Sequence, residues 1–205
     1  AGSQAAIISL AGLAVGYVNT ALSNSGINAS ASLAGTMKWA HPSTGVVSSD
    51  LGALISDATI KAARTTFNAD LVAALVSGAP SGTTGYGAIP LGLGGNSAAC
   101  WSVTRATAVG APGRSFAHEI GHNFGAGHDA AQGGPNAVPT ARGLRFTGND
   151  GKQYCTLLGY HQGSDQRIPY YSNPSVVYAG KPTGTASANN AATIQTITAA
   201  ASAYK

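Results

Sequence analysis

This sequence predicts an α+β fold, and three observations carry the prediction. Helical periodicity marks both ends, over residues 4–23 and 189–204. Between them lie short runs of strand character, residues 29–40, 70–76, 85–91 and 98–109, punctuated by glycine. Residues 118–129, HEIGHNFGAGHD, read as a helix that a glycine ends.

With 205 residues the chain is long enough for one domain with a sizeable core, and we expect one, 1–205. Only 9% of residues are charged and 28 are glycine, which suits a secreted, extracellular chain better than a cytosolic one. The net charge of +4 is scattered without a basic run, so nucleic acid is not an expected partner. The apolar stretch 5–18 is interrupted by Ser9, Gly12 and Gly16 and has no charge before it. It is therefore expected to be neither a membrane span nor a signal peptide, and no membrane partner is expected. A monomer is the expected state. Cys100 and Cys155 are either buried thiols or, as export favours, a disulfide; a bridge closing such a loop would restrain the unfolded chain by about 4 kcal/mol.

Taken in order, Ile7, Leu10, Ala11, Ala14, Val18 and Leu22 predict the first helix, ending near Asn24. Leu33, Met37 and Trp39 share one side of the expected strand 29–40, which His41-Pro42 ends; His41 reads as a solvated surface group. Residues 49–67 are expected to be helical, as one or two turns or as a longer helix. Residues 70–76 are almost wholly apolar and end at Ser77-Gly78, which predicts a strand buried on both faces inside the sheet. Residues 79–96 are rich in glycine, yet 85–91 can lie as an edge strand, the one place Pro90 suits. Such an edge can bind an extended peptide as a further strand. Residues 98–109 follow as another strand, and Ser115 is the expected N-cap of the next helix. Asn149-Asp150-Gly151 predicts a hairpin between 144–147 and 153–155; a calcium loop is possible there but not indicated.

His118 and His122 stand one turn apart on one helical face, a spacing that lets two imidazoles grip one ion. Gly125 can reverse the chain and return His128 as a third ligand. Three histidines with a wet fourth position describe a catalytic zinc rather than a closed structural one. Glu119, about a hundred degrees round the helix, is placed to take a proton from water.

HEIGHNFGAGHD resembles the HExxHxxGxxHD signature of the metzincin zinc endopeptidases, and Asp129 narrows the resemblance to the reprolysin-like branch. Residues 167–174 and 180–184 resemble the peptidyl-Asp metalloendopeptidase family of bacteria. The resemblance implies a metzincin-like domain: a mixed twisted sheet with an antiparallel edge strand above the zinc helix, in an upper half 1–125. A smaller irregular lower half, 126–205, would be closed by the C-terminal helix. It further implies a polypeptide substrate bound along Gly87, Ala88 and Ile89. Thr156-Leu157-Leu158-Gly159-Tyr160 resembles the family's turn beneath the metal, with Leu158 where the family has methionine. Tyr160 then either stabilises the oxyanion or simply packs, and Asp129 supports the site through hydrogen bonds. The loop resemblance places Arg167 in the pocket after the scissile bond, with Arg145, Lys152 and Lys181 as rivals for an aspartate there. Metzincins begin with a strand before their first helix, so an upstream propeptide or a cleaved N-terminal strand is an expected partner. Two other classes remain: a zinc-bearing binding module without catalysis, and a zinc hydrolase of small amides.

Overall fold

Helix α1, Gln4–Asn24, starts where the Ser3 hydroxyl accepts the Ala6 N–H and ends where Gly26 takes a positive φ. The structure, a computed structural model, describes residues 3–77, 82–202 and 204; of the predicted elements, Gly78 and part of the glycine-rich loop 79–96 lie outside these, as does Ala203. Ala14, Val18, Ala21 and Leu22 of α1 are buried, while Ile7, Ile8 and Leu13 stay exposed. By length and apolarity this helix would suffice to cross a membrane, despite the interruptions read in the sequence.

The strand expected over 29–40 does not form: among the described residues the segment belongs to no ladder. Asn19 takes both backbone groups of Ala31, donating to its carbonyl at 2.9 Å and accepting its N–H at 2.7 Å. Alternation on one face cannot make a strand where no neighbour is available to pair. The helical region beyond it is two helices, α2 at Val47–Ser56 and α3 at Ala58–Thr66. Asp57 divides them, ending α2 and capping α3 by accepting from Thr59 and Ile60 N–H. His41 is not a free surface group. It is half-buried, stacked on Trp39 and bonded to the buried Asp50 carboxylate.

Strands β1 (Val72–Val76), β2 (Gly85–Gly87) and β3 (Trp101–Arg105) form a sheet in the order β1-β3-β2. β1 runs parallel to β3, with Val72 opposite Trp101, and β2 runs antiparallel to β3, with Tyr86 opposite Val103. The buried central strand is thus β3, whereas β1, expected in the interior, is half-buried at the margin. Ser102 and Thr104 hide this centrality in the sequence, because they break the apolar run while facing another element rather than water. The edge strand is shorter than expected, although the Ala88 N–H still donates to Trp101 O.

Helix α4, Ser115–Asn123, crosses beneath this sheet with all nine residues buried. Its N-cap is Arg114 at φ 51°, not Ser115, whose hydroxyl instead meets that of Thr84 at 2.7 Å. Beyond α4 the elements are short. β4 (Arg145–Thr147) and β5 (Gln153–Cys155) form the expected hairpin, and β6 (Gln166–Arg167) joins β5 in parallel. A second hairpin pairs β7 (Val177–Tyr178) with β8 (Lys181–Pro182). Helix α5, Asn190–Ala201, buries Ile194 and Ile197, and its Asn190 side chain bonds both backbone groups of Gly127 at 3.1 Å. It therefore braces the chain just after α4.

Cys100 and Cys155 are both buried and both free. Cys100 lies at the start of β3 near Arg64 and Asp70, and Cys155 lies in the other sheet beside Arg167. The expected disulfide is absent because the two thiols are packed into separate surroundings.

Candidate active site

One helical turn brings His118 and His122 together, with their Nε2 atoms 3.1 Å apart. The helix stops at Phe124, and Gly125 at φ +79° reverses the chain, its N–H bonding His122 O and the Ala126 N–H bonding Gly121 O. A side chain at Gly125 would also collide with Ile197 and Ala137. After this turn His128 arrives with its Nε2 3.1 Å from each of the other two.

Hydrogen bonds at the far side of two rings decide what two of these three nitrogens are. His118 Nδ1 donates to Leu157 O at 2.6 Å and His122 Nδ1 donates to Ala126 O at 2.8 Å. A neutral imidazole has one N–H, so both Nε2 atoms present lone pairs to one another. Burial holds all three imidazoles below the usual histidine range, with His122 at about 3; neighbouring positive charges add to it, while at His128 the Asp129 carboxylate opposes it. The two lone pairs facing each other at 3.1 Å repel unless a cation or a donor lies against them, and His128 Nε2 stands 3.1 Å from both. Their spacing is close to the edge, about 3.3 Å, of a tetrahedron built on metal–nitrogen bonds of about 2.0–2.1 Å. The donor set therefore fits one metal ion. His41 and His161 do not join it.

Glu119 is buried beside the triad and under the edge strand. Burial pushes its carboxyl up to about 8, against the opposing influence of the Arg167 charge and the Gly87 N–H. Thr84 and Ala88 bond inward to β3, so the alternation of an antiparallel edge turns the backbone of Gly87 and Ile89 outward. Asn123 fastens this arrangement: its amide donates to Ala88 O, Ala99 O and Trp101 O at 2.8–3.0 Å.

The turn under the triad is held from several sides. Leu158 is fully buried below α4, and a Cβ at Gly121 would come within 3.0 Å of its Cδ2. Tyr171, also fully buried, donates its hydroxyl to Ala117 O at 2.7 Å. Asp129 accepts from the Ala131, Gln132 and Tyr160 N–H groups, and its own N–H donates to Leu158 O. The Tyr160 ring is 45% exposed and its centroid lies 6.2 Å from that of His128.

Arg167 donates through Nη1 to Gly113 O at 2.8 Å and through Nη2 to Gly159 O at 3.3 Å, while its buried Nε has no partner. Among the described residues no carboxylate pairs with it. Its rivals lie elsewhere: Arg145 is paired with Asp165 at 2.6 Å, Lys152 lies 3.8 Å from Asp150, and Lys181 is on the outer hairpin. The suggested calcium loop has its carboxylate in use, since Asp150 accepts from Tyr154 OH and Lys152 N–H. Asn123 and Tyr171 escaped the sequence reading. A polar residue immediately after His122 inside an apolar helix was the available signal for Asn123; Tyr171 had only its place in the 167–174 stretch.

The sequence profile described as Metallo-peptidase family M12B Reprolysin-like matches residues 11–129. A Peptidyl-Asp metalloendopeptidase of Stenotrophomonas maltophilia is 31% identical over 188 residues, 87% of this chain and 43% of that protein. One of Xanthomonas campestris pv. campestris is 32% identical over 186 residues, 87% of this chain and 42% of the relative. The chain thus spans less than half the length of these curated relatives. A solved structure described as "Structure of a chaperone-substrate complex" superposes with a TM-score of 0.75 over 100% of this chain and 33% of its own, at 20% identity. That likeness concerns the fold alone. The matched span covers more than half of the sequence and runs through all three histidines and Glu119, so the chain belongs to the reprolysin-like M12B metallopeptidase family.

Proposed function

We propose that the chain is the catalytic unit of a secreted zinc endopeptidase that cleaves peptide bonds preceding aspartate. The observation that carries this reading is the convergence of three imidazole Nε2 atoms beside one buried acid. His118, His122 and His128 would hold the ion, and zinc bound there supplies an acidified water and polarises the scissile carbonyl. Glu119 takes the proton from the attacking water and gives it to the departing amine. The Tyr160 phenol, exposed near His128, donates to the oxyanion as it develops. Gly87 and Ile89, on either side of the inward-bonded Ala88, bind the substrate backbone, supported by their outward-turned backbone at the edge of the sheet over α4. Asp129 and Leu158 hold the turn and the third histidine in place.

The aspartate preference rests on Arg167. A guanidinium next to the triad with an unpartnered buried Nε, and no carboxylate of its own, suits an acidic side chain, and the relatives' name points the same way. The outer edge of β1 has no pairing strand among the described residues, which supports an upstream strand or propeptide as a partner. We divide the domain at residue 125, where Gly125 turns the chain from the sheet-bearing half to the half closed by α5.

Incubating a denatured protein with the chain, with and without a chelator, and sequencing the fragments tests this. Chelator-sensitive cleavage with aspartate at the new N-termini is expected. No fragments would leave a binding module, cleavage of small amides alone would leave an amidase, and chelator-insensitive cleavage would remove the metal.

A further inference from the structure

Two glycines of β2 face α4, and neither has the left-handed φ that would explain a glycine by backbone conformation. Space explains them instead, and differently. At Gly87 a Cβ would come within 2.6 Å of the Glu119 backbone oxygen and 3.1 Å of His122 Cβ. Gly87 therefore sets how closely the strand lies on the helix. At Gly85 the three atoms nearest an added Cβ all belong to the acid's side chain, 2.5 Å to Glu119 Oε1, 2.6 Å to Cγ and 2.8 Å to Cδ. Among the described residues no side chain hydrogen-bonds this carboxylate; the Gly87 N–H and the more distant Arg167 charge are what bear on it. Its direction is thus fixed mainly by shape.

We propose that Gly85 is a positioning residue for the peptidase reaction: its missing side chain is the recess that holds the Glu119 carboxylate against β2. This rests on the reading of Glu119 as the proton carrier. A methyl group there would meet the acid's side chain before any other, and a displacement of about 1 Å lowers turnover by about a hundredfold.

Gly85→Ala tests it in two backgrounds. With Glu119 present, kcat should fall by about a hundredfold while KM stays within about twofold. Zinc content should stay unchanged, and a crystal structure should show the carboxylate displaced. In the Glu119→Asp background the shorter acid leaves room for the methyl, so the same substitution should change kcat by less than about threefold. Gly94→Ala, where nothing lies within 4 Å of the added carbon, should leave activity unchanged. Undiminished kcat in Gly85→Ala, or the full loss repeated in the Glu119→Asp background, would overturn the proposal. If Gly85→Ala does not fold, folding of the double variant supports the recess and failure of both overturns it. Retained cleavage by Glu119→Gln would sink the peptidase reading itself, whereas an inactive Glu119→Gln beside a fully active Gly85→Ala sinks only the recess.

Discussion

The tautomers of His118 and His122 are set by two backbone carbonyls, Leu157 O and Ala126 O, and neither carbonyl has a side-chain signature. The histidines and Glu119 were legible because α-helical spacing and one glycine turn place them locally; the groups that orient them come from distant parts of the chain. Arg167 shows the same limit. Its identity was readable only through a resemblance, and its neighbours Gly113 and Gly159 only from the fold. If it receives an acidic side chain, Arg167→Ala should lower kcat/KM for an aspartate-containing peptide about ten- to hundredfold, the worth of one charged hydrogen bond. Cleavage of the matching asparagine peptide should be little affected. Competition between the two peptides measures this, and an unchanged ratio would remove Arg167 from the pocket.

Elements with a local cause were legible: α1 and α5 from periodicity and the β4–β5 hairpin from its Asn-Asp-Gly turn. Elements that depend on a neighbour were not, as the unpaired segment 29–40 and the marginal β1 demonstrate. Helix α2 illustrates a third case, a buried charge. Asp50 is fully buried and accepts from Thr44 N–H and Oγ1 at 2.9 Å, Ser43 Oγ at 2.8 Å and His41 at 3.1 Å. Burial alone would raise its carboxyl, but these hydrogen bonds, Thr44 N–H foremost, outweigh it and hold the group below the ordinary value. Because the folded pKa is the lower one, this stability is fully present above about pH 4 and is lost as pH falls through the folded value. Asp50→Asn should therefore destabilise the protein by about 1–3 kcal/mol near neutrality and lose less than the parent on acidification. Thermal melts between pH 2 and 7 report both, and parallel curves would contradict the assignment.

At the scale of the whole molecule, helix α4 lies under the β1-β3-β2 sheet, and the chain beyond Gly125 supplies the third histidine, the turn beneath it and Arg167. The α+β class was legible because helices and strands carry different periods. The disulfide was misread because cellular compartment favours pairing while only three-dimensional placement permits it. Diffraction at the zinc absorption edge from crystals grown with zinc examines the molecule's defining feature directly. One anomalous peak bonded to Nε2 of His118, His122 and His128, with no fourth side chain on it, is the predicted result. A fourth protein ligand, or no peak among the three rings, would contradict a catalytic metal in this chain.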